Sequence, residues 1–353
     1  MGRNRMEGQI SKDVLSKMQV IYANLRDEKS KRIYMDKLLY AVSNDIKYVY
    51  QLLEDSFENF GEHLNYLKNK KEVIIYGAGI NCEMAVYACK KKNISVNYLC
   101  DRDSNKQGNQ LWGIEVISPE RLINEHKEAT ILISTTTFYD EVMNYLRKYF
   151  SKDNIISFAG KEQMEVIKMQ YFDEVIKLKD GEIFVDGGCF DFETSKLLLE
   201  QCKVEKIYAF EPDLINLPKV EKQVENMQLK NVDIIPAGMW NCKDILRFQS
   251  QGTIKSKLDE RGDVEVNVVA VDDVINDKVT FIKMDIEGSE LKALQGAKNT
   301  IKKYKPNLAI CIYHKPEDII DIPDYLHFLV PEYKFYIRHY SMNSAETVLY
   351  AVI

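Results

Sequence analysis

The chain has 353 residues, too many for one small domain and enough for two or three separate cores. Its 48 Lys and Arg against 54 Asp and Glu give a formal charge of -6, spread without long single-sign blocks, so nothing argues for a nucleic-acid or anionic-lipid partner. No apolar run is long enough to cross a bilayer and Met1 to Ser11 is polar with no apolar leader, which predicts a soluble, unexported, cytoplasmic protein.

Residues 1–70 read as a helical N-terminal region. From about Ser11 to Lys70 Gly and Pro are almost absent, and Leu15, Met18, Ile21, Leu25, Ile33, Leu38 and Val42 recur at helical spacing. The second half adds Tyr48, Tyr50, Phe57 and Phe60, so its apolar faces must pack either on the next domain or on a second copy of the chain, as in a homo-oligomer.

Residues 71–160 read as a small α/β domain. Val73 to Tyr76 is a buried strand, Gly77-Ala78-Gly79 a tight turn and Asn81 to Lys92 a helix; a second strand, Val96 to Cys100, ends on Asp101, and a third spans Thr130 to Ile133. The glycines with Asp101 form a nucleotide-binding fingerprint lacking its third glycine. A nucleotide or nucleotide-sugar site at Gly77, Gly79 and Asp101 and a ligand-free structural module are equally compatible with it.

Residues 161–353 read as a second α/β set. A helix from Lys161 leads to strands at Ile183 to Val185, Lys206 to Phe210, Val232 to Ile235, Phe281 to Met284 and Leu308 to Tyr313. Two alternating strands, Tyr333 to Tyr340 and Thr347 to Ile353, close the chain, and Leu246 to Gln249 and Val264 to Val271 look like local additions. Five strands with crossovers and a terminal hairpin form a Rossmann-like, largely parallel sheet.

The chemistry concentrates at strand ends. Phe184-Val185-Asp186-Gly187-Gly188-Cys189 is a buried strand ending in a carboxylate and a turn whose glycines let a cofactor approach the backbone. Ala209-Phe210-Glu211-Pro212 places a second carboxylate one strand later, able to accept from both ribose hydroxyls of an adenosine; Glu211 capping a turn before Pro212 is the blander alternative. These acids specify a nucleoside cofactor and leave nicotinamide and S-adenosylmethionine both open.

The run Phe281-Ile282-Lys283-Met284-Asp285-Ile286-Glu287-Gly288-Ser289-Glu290-Leu291, with Leu294-Gln295-Gly296-Ala297 after it and Phe210-Glu211-Pro212 before it, resembles the FkbM family of S-adenosylmethionine-dependent methyltransferases. The resemblance covers about Ile183 to Ile353. It implies a class I methyltransferase sheet, a cofactor held by Asp186, Gly187, Gly188, Glu211 and Pro212, and O-methylation of a hydroxyl on a sugar, glycan or related small metabolite. The family's first motif usually has a glycine where this chain has Phe192, whose ring would pack beside the cofactor or crowd it. A rival reading is therefore a methyltransferase-fold scaffold without turnover, with an accessory domain that senses a nucleotide sugar.

Methyl transfer to oxygen needs a base for the hydroxyl proton, and Asp285 and His314, ending the fourth and fifth strands, are the catalytic candidates. Asp285 and Glu287 could alternatively hold a divalent metal, or Asp285 could cap the next helix. Arg338 and His339 are either contacts for an anionic acceptor or an exposed hairpin charge. Seven cysteines form no C-x-x-C pair, and Cys89, Cys100, Cys202 and Cys311 lie in apolar segments; with five histidines at no zinc-finger spacing this argues for reduced thiols and against a structural zinc.

Overall fold

A computed structural model describes residues 12–249, 257–258 and 264–353. The chain divides into two compact units. One contains residues 35–170 and 339–345, the other residues 171–338, 346–353 and the described part of 1–34. The units thus cut across the sequence boundaries at 70 and 160, because the N-terminal helices are shared out between them. No described helix is long and apolar enough to cross a membrane.

Helices α1 (Lys12–Asn24) and α2 (Glu28–Ser43) open the chain. Ile21, Leu25, Ile33 and Leu38 are buried as the periodicity requires, but Leu15 and Val42 are exposed, so the apolar stripe is narrower than predicted. In the smaller unit α3 (Ile46–Ser56) and a 3-10 stretch (Glu62–Asn69) follow. Asp45 caps α3 by accepting from the Lys47 amide at 3.0 Å. Tyr50, Phe57 and Phe60 pack with Val73, Ile75, Cys82 and Ala85 in one core, which places the aromatic face on the unit's own α/β layer.

That layer has strands β1 (Val73–Tyr76), β2 (Tyr98–Cys100), β3 (Gln110–Leu111), β4 (Ile114–Ile117), β5 (Thr130–Ile133) and β6 (Ile155–Ser157), with helices α4 (Cys82–Lys91), α5 (Pro119–Glu125) and α6 (Tyr139–Leu146). The order is β3-β4-β2-β1-β5-β6, parallel except for β3. Helix α7 (Lys161–Lys168) completes the unit.

In the larger unit β7 (Glu182–Gly187), α8 (Glu193–Gln201), β8 (Val204–Phe210), α9 (Leu217–Asn226) and β9 (Val232–Ile235) build one side of a sheet. The chain then forms β10 (Gly238–Met239), β11 (Asp244–Gln249), β12 (Lys257–Leu258) and β13 (Val264–Val269), a separate four-stranded sheet, and a short α10 (Val271–Val274). It returns through β14 (Phe281–Met284), α11 (Glu290–Gly296), α12 (Lys298–Tyr304), β15 (Asn307–Cys311), α13 (Asp318–Leu329), β16 (Lys334–His339) and β17 (Thr347–Val352). The seven-stranded order is β16-β17-β15-β14-β7-β8-β9. Strand order reverses between β7 and β14, and the carboxyl ends flanking that point form the crevice where open α/β sheets take ligands.

The edge strand β16 is covered by the N-terminal segment: Leu25 bridges Phe335, the Arg26 amide donates to the Phe335 carbonyl at 3.1 Å and the Ile337 amide donates to Ser30 Oγ at 2.9 Å. Arg338, read as an acceptor contact or an exposed charge, is neither. Its guanidinium is buried and donates to both Asp27 oxygens, at 3.2 and 2.7 Å, and to Ser30 Oγ at 2.9 Å. His339 is buried as well, and desolvation, with Lys37 nearby, pulls it down to about 3, so it is neutral at ordinary pH. Arg338→Ala is expected to destabilise this unit by about 2 kcal/mol, measured as a shift in urea midpoint, because the half-buried Asp27 loses its bidentate partner.

Candidate functional site

At the β7/β14 reversal a cavity is lined by residues of both sheets, Gly188, Glu211 and Asp285 among them. Gly188 is held at φ +72°, and a Cβ there would strike the Asp285 carbonyl, so the two strand ends meet only because this residue has no side chain. Its amide and that of Cys189 both donate to the Phe210 carbonyl at 3.1 Å, which closes the turn against β8.

Asp186 lies behind this wall. It is fully buried, accepts from Ser195 Oγ at 2.7 Å and pairs at 3.1 Å with the ammonium of Lys283, its cross-strand neighbour. Lys283 also donates to the carbonyls of Gly187 at 3.0 Å and Gly188 at 2.7 Å. Burial opposes its charge, but Asp186 and Asp285 outweigh burial and raise its pKa above the ordinary lysine value. Of the residues predicted from the sequence to hold a cofactor, Gly188, Glu211 and Pro212 line the cavity and Asp186 and Gly187 do not; the catalytic candidate Asp285 lines it too.

Glu211 is 5% exposed and accepts from the Phe190 amide at 3.0 Å and the Asp213 amide at 2.8 Å, one per oxygen. The Asn216 side chain donates to it as well, and of the carboxylate's roughly four acceptor positions this leaves room for a further donor. Burial pushes its pKa up to about 7, against the pull of these amides. Around it Pro212, Phe210, Met239, Val266 and Val268 supply apolar walls.

At the other end Asp285 accepts from Tyr171 Oη at 2.7 Å on one oxygen and His314 Nε2 at 2.8 Å on the other, while the single Tyr313 hydroxyl proton is shared between Asp285 at 3.3 Å and Glu346 Oε1 at 3.1 Å. Burial alone would raise its pKa; the His314 bond and Lys283 overturn that and hold it well below the usual carboxylate range. The helix-cap reading of Asp285 falls, because the Ile286 amide donates to Glu290 Oε1 at 2.9 Å instead. His314 lies three residues past the end of β15 and does not border the cavity, standing instead against Asp285, with Glu290 Oε1 at 3.5 Å and Glu287 Oε2 at 3.6 Å. Burial lowers its pKa, but these carboxylates win and raise it to about 9, so the ring is an imidazolium at neutral pH. Donor atoms of Asp285, Cys311 and His314 lie within 4.8 Å of one another, but the Asp285 oxygens and His314 Nε2 are committed to protein hydrogen bonds and the buried Cys311 thiol is pushed well up, a set that does not fit a cation.

Phe192 is fully buried, outside the cavity lining, at φ +70° and ψ +4° where α8 begins. That left-handed conformation is the physical reason a glycine suits the position. The ring is not among the residues that line the cavity. Sequence reasoning missed Tyr171, Asn216 and Met239, which border the cavity from segments with no motif.

Residues 185–336 match the family model of the methyltransferase FkbM domain. This part of the chain is an FkbM methyltransferase domain. Residues 69–156 match the C2185-like N-terminal domain. No curated protein sequence matches the chain. Among solved structures, methyltransferase FkbM from Methylobacillus flagellatus is similar at 20% identity over 89% of this chain and 100% of that one, with a TM-score of 0.48. An rRNA methylase from Streptococcus thermophilus aligns at 14% identity over 53% and 92%, TM-score 0.36, and fibrillarin from Aeropyrum pernix with natively bound S-adenosyl-L-methionine at 9% over 53% and 74%, TM-score 0.35. The FkbM domain match spans β7 to β16 and so contains Gly188, Glu211, Asp285 and His314.

In the smaller unit Asp101 accepts from the Ala78 amide at 2.7 Å, the Asp103 amide at 2.9 Å and Lys106 Nζ at 3.1 Å. Gly77, at φ +101°, leaves room for Ser134 Oγ, and Asn343 donates to Asn81 at 2.7 Å. The fingerprint is thereby tied into its own loops.

Proposed function

We propose that the chain transfers a methyl group from S-adenosylmethionine to a hydroxyl oxygen of a sugar, glycan or related small metabolite. The observation that carries this reading is Glu211: a carboxylate at the end of the second strand, facing a cavity at the sheet's reversal, with acceptor capacity left beyond its protein donors and apolar walls beside it. This arrangement fits an adenosine, with the ribose hydroxyls donating to Glu211 and the base against Pro212, Met239, Val266 and Val268. When bound, the cofactor supplies an electrophilic methyl on a sulfonium.

In this reading Gly188 lets the methionine end pass close to the backbone, and Asp285 borders the acceptor. His314, as an imidazolium, positions and keeps ionised Asp285; it does not itself collect a proton. Among the described residues Asp191, Glu211, Asp285 and Glu287 face the cavity against one already paired cation, Lys283, which favours neutral or cationic acceptors over phosphate-bearing ones such as nucleic acid. Phe192, on which the reading as a scaffold without turnover rests, is not among the residues that line the cavity, which supports the catalytic reading. The accessory unit's Gly77, Gly79 and Asp101 are best explained as structural.

S-adenosylhomocysteine titrated calorimetrically into the full chain is expected to bind at one site, and Glu211→Ala to weaken it by about 1 to 3 kcal/mol through lost charge-assisted hydrogen bonds. Equal affinity in the variant would remove Glu211 from the site.

A further inference from the structure

Glu287 borders the same cavity as Asp285 but is bound quite differently. Its backbone sits at φ +56°, a conformation a non-glycine side chain rarely adopts, and Gly288 follows at +89°. Such outliers persist where the surroundings over-determine them, commonly at functional sites. Lys315 Nζ donates to the Gly288 carbonyl and fixes this turn from the far side. The side chain is 29% exposed, and its nearest charged partner is His314 Nδ1 at 3.6 Å, beyond good hydrogen-bond length. Asp285, by contrast, accepts from Tyr171 on one oxygen and His314 on the other, with the Tyr313 hydroxyl shared between it and Glu346. His314 therefore stands between two carboxylates, one held by protein donors on both oxygens and one with its acceptor capacity turned to the cavity.

We infer that Glu287 is the proton acceptor for the methylated hydroxyl, with Asp285 and His314 positioning it. This rests on the cofactor reading above. As the acceptor oxygen forms its bond to the methyl carbon, the carbon–sulfur bond breaks with its electron pair left on sulfur, and the hydroxyl proton passes to a Glu287 oxygen. Neutral Glu287 then returns that proton to solvent through its exposed edge. Burial brings the Glu287 pKa up to about 7, matched to a base working near neutrality, while Asp285 is too weakly basic and His314 already protonated. The groups facing Glu287 are Asp285, the Glu290 carboxylate of α11, Tyr313 and His314 after β15, and Glu346 before β17.

The test needs no acceptor. Sinefungin carries an ammonium where the methyl group would be, and S-adenosylhomocysteine carries nothing there, so the ratio of their affinities reads the charge beside the transferred methyl. In the wild-type chain that ratio is expected to rise about tenfold between about pH 5.5 and 8, as Glu287 ionises. In Glu287→Gln the rise disappears and the ratio at about pH 8 falls about tenfold, with S-adenosylhomocysteine affinity kept within about threefold as the check on folding. Glu287→Asp, which retains the charge, restores part of the rise. A ratio that is flat in the wild type, or that rises equally in Glu287→Gln, overturns the assignment while leaving the cofactor site standing. Binding of neither ligand overturns both.

Discussion

Lys283→Met is expected to lower the stability of the methyltransferase unit by about 3 to 5 kcal/mol, the cost of leaving a buried charge without its partner. Asp186 is fully buried and would keep only the Ser195 hydroxyl, while the Gly187 and Gly188 carbonyls lose a shared donor. Methionine has nearly the length of lysine, so the loss measures charge and not volume. Because the folded lysine pKa lies above its ordinary value of 10.5, the pair's contribution is complete below that pH and fades only as pH rises through the folded value. Urea unfolding near neutrality measures the whole effect. Pairing Lys283→Met with Asp186→Asn should recover most of the loss, since no orphaned charge then remains. A single-variant loss below about 1 kcal/mol would show that the pair is not what holds the turn.

Phe192→Gly should cost about 2 to 4 kcal/mol. Removing a fully buried phenyl ring leaves a cavity, an effect of about 3 to 5 kcal/mol, and relief of the left-handed backbone returns roughly 1 kcal/mol of it. Since the ring does not border the ligand cavity, S-adenosylhomocysteine affinity should stay unchanged at temperatures where the variant is folded. Thermal unfolding followed by calorimetry checks both halves. A variant more stable than the wild type would mean the strain outweighs the packing, and a changed affinity would mean the ring reaches the cofactor after all.

The large sheet was legible because its strands are short apolar runs bounded by turn residues: Val232 to Ile235 and Phe281 to Met284 fall where the pattern puts them. The fifth strand was read two residues too long, since Ile312 and Tyr313 are apolar but lie beyond the Cys311 pairing. The hairpin β3–β4 was not read at all. Its turn places Trp112 at φ +50° and Gly113 at +79°, and tryptophan gives none of the Asn or Asp signal that such turns usually carry. In the site, Glu211 and Gly188 could be found from strand-end chemistry. The division of labour among Asp186, Lys283, Asp285 and His314 could not, because it depends on which carboxylate has its acceptors filled, and that is set by cross-strand register and by Tyr171 from a distant segment. Arg338 was misread for a similar reason: its partner Asp27 is 311 positions away.

The covering of β16 by residues 25–30 has a consequence for the order in which the protein can form. During synthesis Ser30 is made 307 residues before Ile337, the strand residue it bonds. Residues 35–170 contain most of the smaller unit and can collapse on the ribosome as soon as they are out. The larger unit has to wait for β16 and β17. Refolding from denaturant should therefore show the smaller unit's signal returning first, with the larger unit limited by closure of a loop of about 300 residues.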